Sequence, residues 1–358
     1  MGEHMAYAKR RVVNTQAALV AWALVALAGA AVAAESDSHF RVLEHWAIGG
    51  QDASYDLLRV DSRAQRLYVA HGNRVEVLSS GTGKVIGQII ETPGVHGIAL
   101  APEVNHGFTS NAGDRTVTMF DLQTLRPLKV IRYTGVKPDA IEYDPDTHRV
   151  YVVNGGSTGD ITVIAPDTGA IVGTVSLQGS KLELLAFDGH GRGFVNDEEQ
   201  SVVHVFDTHT LKPLAKWPVA PGEGPTGLAY DPGHHRLFST CGNRQLIALN
   251  ADTGAVVGTP PIGADPDGAA YDSGRNLIFV SNRDGTLTVI REAASDHYTV
   301  LQTVVTGTGA RTIALDSKAG RIYLPTAQFG PPPPATKAQP EPRPPMVPES
   351  FGVLVVGE

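Results

Sequence analysis

The sequence predicts an all-β fold, a seven-bladed β-propeller with four antiparallel strands per blade. Two observations carry this. An aromatic residue recurs at one place in a repeating unit, as Tyr68, Phe108, Tyr151, Phe194, Phe238, Phe279 and Tyr323, spaced by 40, 43, 43, 44, 41 and 44 residues. Self-similarity at such a period is the mark of one supersecondary unit repeated. Each unit also breaks into four short runs of Val, Ile, Thr, Tyr or Phe bounded by Gly, Pro, Asn or Asp, which is a strand-and-turn pattern. Past the first 34 residues no apolar stripe of helical period is sustained. Four strands per unit, seven times over, make a propeller.

Along the chain, residues 1–34 read as an address. Lys9, Arg10 and Arg11 precede an Ala- and Val-rich run over 17–34 that ends in Ala31-Val32-Ala33-Ala34 before Glu35, the pattern of a secretory signal peptide. Val12-Val13-Asn14 fit a twin-arginine signal poorly, and no Cys stands near the cleavage site to carry a lipid. The expectation is cleavage, a propeller over 35–358, a periplasmic or secreted location and no membrane span in the mature chain.

Within each unit an apolar strand such as 227–230 leads to a turn residue: Asp61, Ala101, Asp144, Asp188, Asp231, Asp272 or Asp316. The aromatic strand follows, then a β-branched strand such as 161–164, a turn such as Asp167-Thr168-Gly169, and an outer strand such as 171–175. The seventh unit offers three strands, near 311–316, 321–325 and 352–356, while residues 40–48 precede the first unit as a surplus strand. An open sheet edge invites pairing with other chains. Residues 40–48 therefore complete blade seven and close the ring. The aromatics are only 6 % of the chain yet concentrate at the repeat position, so they should pack between blades.

Charge and cysteine content bound the partners. Loss of Lys9, Arg10, Arg11 and Glu3 with the leader leaves 26 basic against 36 acidic residues, a net charge of −10. Such a surface repels phosphate, and no Lys/Arg cluster offsets it, so nucleic acid is a poor partner. The lone thiol, Cys241, has no intramolecular disulfide partner, and there is no haem-attachment motif. A monomer is expected.

The segments 149–154 (Arg-Val-Tyr-Val-Val-Asn) and 276–282 (Asn-Leu-Ile-Phe-Val-Ser-Asn), with 138–145 and Thr162-Val163-Ile164 through Asp167-Thr168-Gly169, resemble the YVTN-type β-propeller repeat. Over roughly residues 40–358 the chain is similar to the exported bacterial YncE-like group. The resemblance implies a periplasmic or cell-surface seven-bladed propeller, in a group mostly without an assigned reaction and for which DNA binding has been proposed. It brings no catalytic residue. His71, Asp197, Cys241 and Thr326 stand where the motif ends in Asn.

Candidate site residues follow from blade geometry. The innermost strand starts on the face where strands two and three are joined. The residue five before each turn residue should therefore line the channel mouth: Asp56, His96, Asp139, Glu183, Thr226, Asp267 and Arg311. A wider ring on that face comprises His71, Asn111, Asn154, Asp197, Cys241, Asn282 and Thr326. The functional reading is a polar funnel for a cation or a small polyhydroxylated ligand. Asp56, Asp139, Glu183 and Asp267 are candidate Ca²⁺ or Mg²⁺ ligands, since carboxylate oxygens are the donors those ions prefer. Converging acids also raise one another's pKa, which suits acid–base chemistry. The bland reading is that such Asp and Asn side chains bond backbone N–H groups of their own turns.

Other motifs are weaker. His234-His235 lies on a turn of the opposite face, where paired histidines are ordinarily solvated. The stretch 155–160 is Gly-rich but lacks the Lys-Ser/Thr and helix of a phosphate loop. Gly-x-Ser-x-Gly and His-Glu-x-x-His motifs are absent. Residues 330–350 carry nine prolines between strands two and three of blade seven, a semi-stiff extended insertion emerging on the mouth face. It is decoration, a flap, or a docking strand for a partner's aromatic groove. The sequence thus favours an exported, non-catalytic binding or scaffold module for a small ligand or protein partner, acting through the mouth and the Pro-rich loop. A metal-assisted hydrolase or lactonase-like enzyme using the acidic ring is the alternative, and DNA binding a lesser one.

Overall fold

The computed structural model describes residues 39–51, 54–132, 135–156, 159–294, 296–337, 340, 342 and 344–358. The expected leader over 1–34 lies outside them. The described residues form seven four-stranded antiparallel sheets, each in sequential strand order except the last. The inner strands are Tyr55–Asp61, Val95–Ala101, Pro138–Asp144, Leu182–Phe187, Pro225–Asp231, Pro266–Asp272 and Ala314–Asp316. Among the described residues the only helical element is a 3₁₀ turn, Pro102–Val104, so none is long and apolar enough to cross a membrane. That turn stands where Ala101 replaces the repeat Asp. In other blades this carboxylate caps the turn itself: Asp61 Oδ1 accepts from the Arg63 and Ala64 N–H groups at 3.0 and 2.8 Å, and Asp188 Oδ1 from His190 and Arg192 at 2.8 and 2.9 Å.

All seven repeat aromatics are fully buried, and most of their ring partners lie on the next blade. Tyr68 meets Phe120 of blade two at 6.2 Å, Phe194 stacks on Tyr230 of blade five at 6.0 Å, and Phe238 meets Tyr271 of blade six at 5.3 Å. Tyr151 also donates its hydroxyl across the seam to the Thr208 carbonyl at 2.8 Å. One cluster joins Ala99, Phe108 and Val117 of blade two to Ile141, Val150 and Ile164 of blade three. The core is a circular series of such seams, as the concentration of aromatics implies.

Ring closure is as expected. Blade seven is ordered Arg41–Ala47, Gly352–Gly357, Arg321–Thr326, Ala314–Asp316, and its outer strand pairs antiparallel from Arg41 opposite Gly357 to Ala47 opposite Gly352. The strand is pinned at both ends. Phe40 is buried edge-on against Phe279 of blade six at 5.2 Å, and its backbone exchanges two hydrogen bonds with the Gln302 amide, at 2.9 and 2.7 Å. Trp46 packs on Tyr323 at 5.6 Å and over the left-handed turn at Gly83 of blade one, where a Cβ would stand 2.2 Å from the indole. The Tyr323 hydroxyl donates to the Ser80 carbonyl of blade one at 2.9 Å.

The inner strand of blade seven is shorter than the sequence suggests. Regular pairing begins at Ala314, because the backbone before it turns tightly at Gly309 (φ +88°), with the Arg311 N–H donating to the Gly309 carbonyl at 2.8 Å. Arg311 is thereby placed before the strand.

Deleting residues 39–48 should lower Tm by more than roughly 10 °C, because an entire strand and its buried Phe40 and Trp46 are lost. Thermal denaturation followed by circular dichroism checks this, and an unchanged midpoint would contradict closure by this strand. Trp46→Ala alone should destabilise by about 3–5 kcal/mol in the same assay.

Candidate functional site

The inner strands explain how the mouth is built. In six of seven blades the register between strands one and two slips close to the ring residue: between Tyr55 and Leu58, Val95 and Ile98, Pro138 and Ile141, Leu182 and Leu185, Pro225 and Leu228, Pro266 and Gly268. A bulge bends the strand and re-aims the extra residue. Here it frees the ring residue from the ladder. Neighbouring blades brace the carbonyls of ring residues, that of Arg311 in bulge-free blade seven included: Thr312 Oγ1 donates to Asp56 O at 2.8 Å, Asn196 Nδ2 to Thr226 O at 3.0 Å, and Ser281 Oγ to Arg311 O at 2.5 Å, while Ser110 Oγ bonds Asp139 O.

The structure brings most of the inner ring into one charge network. Asp56 is its hinge: Oδ2 lies 2.5 Å from His96 Nδ1, and Oδ1 accepts from Arg311 Nη2 at 3.1 Å. Arg311 Nη1 reaches Asp267 Oδ2 at 2.7 Å, and Arg283 approaches the same oxygen at 3.9 Å. On the other side His96 Nδ1 stands 3.4 Å from Asp139 Oδ1, while Lys137 Nζ donates to Asp139 Oδ2 at 2.6 Å. Gly155 gives this carboxylate its space, since a Cβ there would lie 2.5 Å from Oδ2. Farther round, Lys181 Nζ lies 3.3 Å from Glu183 Oε1 and also pairs with Glu198. Thr226 takes no part in the network, and its hydroxyl donates to the Pro266 carbonyl at 2.8 Å.

Electrostatics distinguish the members. Burial pushes His96 down, but the Asp56 hydrogen bond and the Asp139 charge outweigh it, so the imidazole is held above its ordinary pKa. Burial raises the Asp267 carboxyl, against the pull of Arg311. Glu183 is the outlier. Burial, then the negative charge of Asp139 and the hydrogen bond with Glu198, push it up to about 9, despite Lys181. It is an acid protonated at neutral pH.

The wider ring is placed differently. His71, Asn111, Asn154, Asp197, Cys241, Asn282 and Thr326 are all buried. Asn111 Nδ2 donates to Thr116 and Thr118 at 3.0 and 2.9 Å, and Asn282 Nδ2 to the Thr286 and Thr288 hydroxyls, each at 3.1 Å. Asn154 Oδ1 accepts from the Lys137 N–H at 2.9 Å, and Asp197 from Ser180 and Gln200 N–H groups at 2.9 and 3.1 Å. His71 stacks on Phe351 at 3.9 Å beside Glu76, and burial pushes the Cys241 thiol up to about 12. These side chains fix the turns that hold the mouth.

The inner strands next to the ring residues line a cavity of about 260 Å³, where Leu57, Ile98, Ile141, Leu184, Leu228 and Ile313 stand beside the charged Arg59 and Glu142. Arg59 and Glu142 form an ion pair across it. Lys137, Lys181, Arg283 and the bracing Ser110, Asn196 and Ser281 were not part of the sequence-derived rings. The lysines were legible in principle, because each stands two residues before a ring acid and alternation puts such residues on one side of an extended chain.

Asp56, His96 and Asp139 also bring a nitrogen and two carboxylate oxygens to within 4.8 Å of one another. That donor mix suits zinc-class ions better than Ca²⁺ or Mg²⁺. Arg311 and Lys137 already neutralise the two carboxylates, so a cation there would have to displace them.

Glu183 yields a pH signature. Its folded pKa lies above its unfolded value, so the folded state binds the extra proton between the two. Wild-type stability is then lost progressively as pH rises from about 4.5 to about 9. Glu183→Gln removes this dependence. Its Tm should match the wild type near pH 5 and exceed it increasingly toward pH 9, as differential scanning calorimetry would show; parallel curves would refute the assignment.

No protein-family model matches the chain, and no curated protein does. Among the solved structures that share its fold are two of different origin. A chain of the Kuenenia stuttgartiensis hydrazine synthase aligns with a TM-score of 0.68 at 16 % identity, over 77 % of this chain and 94 % of that one. A chain in the crystal structure of the mitotic checkpoint complex aligns with a TM-score of 0.72 at 15 % identity, over 98 % and 99 %. At these identities the likeness shows the seven-bladed β-propeller fold and nothing of the chemistry.

Proposed function

We propose that this chain is an exported, non-catalytic binding or scaffold propeller of the YVTN-repeat, YncE-like kind, which takes a small polar ligand at the channel mouth. The observation that carries this reading is the charge-alternating arc from Asp267 through Arg311, Asp56 and His96 to Asp139, set beside a cavity that the inner strands line. Its charged side chains are half-buried and fixed by one another, so a ligand with hydroxyl, carboxylate or ammonium groups meets donors and acceptors already in place. The export signal over 1–34 and the repeat resemblance support a location outside the cytoplasm, where free small polar solutes or a neighbouring protein would be met. The Pro-rich insertion joins this face through a short ladder at its base, with the Gly330 N–H bonding Pro345 O at 2.9 Å and the Val347 N–H bonding Gln328 O at 2.8 Å.

A cation-assisted hydrolase or lactonase-like reading draws on the Asp56–His96–Asp139 trio. It is the weaker of the two, because two cationic side chains occupy that trio's carboxylates.

A thermal-shift screen of polyols, sugar acids and amines tests the proposal. At least one class should raise the wild-type Tm by more than about 2 °C and leave Asp139→Asn and Arg311→Gln unmoved. Equal shifts in the variants would take binding away from the mouth.

A further inference from the structure

On the face opposite the channel mouth, two buried carboxylates converge on a single imidazole. Asp231 ends the inner strand of blade five, His234 lies on the turn after it, and Glu292 stands near the end of the third strand of blade six, Thr286–Ala294. His234 Nδ1 is 2.8 Å from Asp231 Oδ2 and 3.3 Å from Glu292 Oε2. The side chains of Asp231 and Glu292 are 1 % and 0 % exposed, whereas that of His234 is 39 % exposed. Glutamate is almost never found fully buried without a compensating partner. One half-exposed imidazole supplies at most one positive charge against two carboxylates. Arg236, the nearby guanidinium, is committed to Asp296 at 2.7 and 3.2 Å and to the His234 carbonyl at 2.7 Å, so it shapes the turn, and His234 is the cationic side chain that touches both acids.

We propose that Asp231, His234 and Glu292 form a binding site for a zinc-class dication, which stitches blade five to blade six. One nitrogen and two carboxylate oxygens are the donor set such ions take, and an exposed imidazole edge leaves a further coordination position open to water. Donor atoms about 2.0–2.2 Å from a metal stand about 2.9–3.6 Å from one another; His234 Nδ1 lies 3.3 Å from Glu292 Oε2, within that range, and 2.8 Å from Asp231 Oδ2, a hydrogen bond that an ion would replace. The ligands are also held from behind. Tyr271 Oη donates to Glu292 Oε2 at 3.1 Å, Tyr298 Oη lies 3.4 Å from Oε1, and Asp231 Oδ1 accepts from the Gly233 N–H at 2.8 Å. Such outer partners orient metal ligands. The site contrasts with the mouth trio, whose carboxylates are paired with Arg311 and Lys137, and it stands independently of the function proposed for the mouth.

The test uses purified, untagged protein stripped with chelator and titrated with ZnCl₂ alone, followed by metal analysis after gel filtration and by thermal shift. The wild type should retain about one equivalent and gain roughly 3–6 °C in Tm at saturating zinc. His234→Ala changes an exposed turn residue and should fold, yet lose both signals. Glu292→Gln keeps the shape and an acceptor for Tyr271, and should lose them too. His96→Ala, which alters the mouth, should keep both. No zinc uptake by the wild type, wild-type uptake by both His234→Ala and Glu292→Gln, or loss confined to His96→Ala would each overturn the proposal.

Discussion

Each blade of this ring buries its repeat aromatic at a seam with its neighbour, so no blade owns a complete core and stability is a property of the closed circle. The seam between blades seven and one is where this constraint is hardest to meet, because the two ends of the chain must supply it. Trp46 supplies it, packing forward over Gly83 of blade one, while Phe40 of the same strand reaches back to Phe279 and fills the seam with blade six. A strand that merely paired with Gly352–Gly357 would complete a sheet. A strand that also fills the seams on both sides completes a core. A stacked array in which each unit contacts only its neighbours needs caps at its ends, and a ring replaces caps by closure.

That rigid frame makes the mouth possible. Charged groups brought together at half-buried depth repel or desolvate one another unless their positions are enforced. The bulges and the bracing hydroxyls of Thr312 and Ser281 enforce them, by holding backbone carbonyls across blade boundaries. The result is a network in which Asp56 answers to both His96 and Arg311, while burial, and after it the nearby Asp139 charge, raise the pKa of Glu183. Positions forced by the fold, rather than attraction between the charges, explain why so many ionisable groups share so small an entrance.

The sequence disclosed the frame because the frame is periodic. Aromatic position, turn Asp and strand runs recur, and the surplus strand at residues 40–48 matched the strand lacking in blade seven, so architecture and closure could be read directly. The ring positions followed from topology alone. What the sequence withheld was pairing. Whether Asp139 meets Lys137, His96 or a free cation depends on side-chain reach and bulge geometry, which have no signature in spacing. The Asn-type ring shows the opposite limit, since buried turn-capping Asn111 and Asn282 look in sequence just like exposed ligands. Glu292 is hidden for a different reason: it sits on a strand of blade six and acquires meaning only beside a turn of blade five.

Repetition also bears on the role proposed for the mouth. At frame positions the seven copies agree, with an aromatic in all seven and Asp in six of seven turns. At the mouth they read Asp, His, Asp, Glu, Thr, Asp and Arg, although the backbone offers six of the seven blades nearly the same bulge. In the six blades that share the bulge, the local backbone does not dictate which residue stands on it. The acids, the imidazole and the guanidinium are distributed unevenly round the opening, with the neutral Thr226 on one side and the Asp56 junction on another. A rim so constituted presents a directional pattern of charge, and a directional pattern discriminates among ligands by orientation as well as by size.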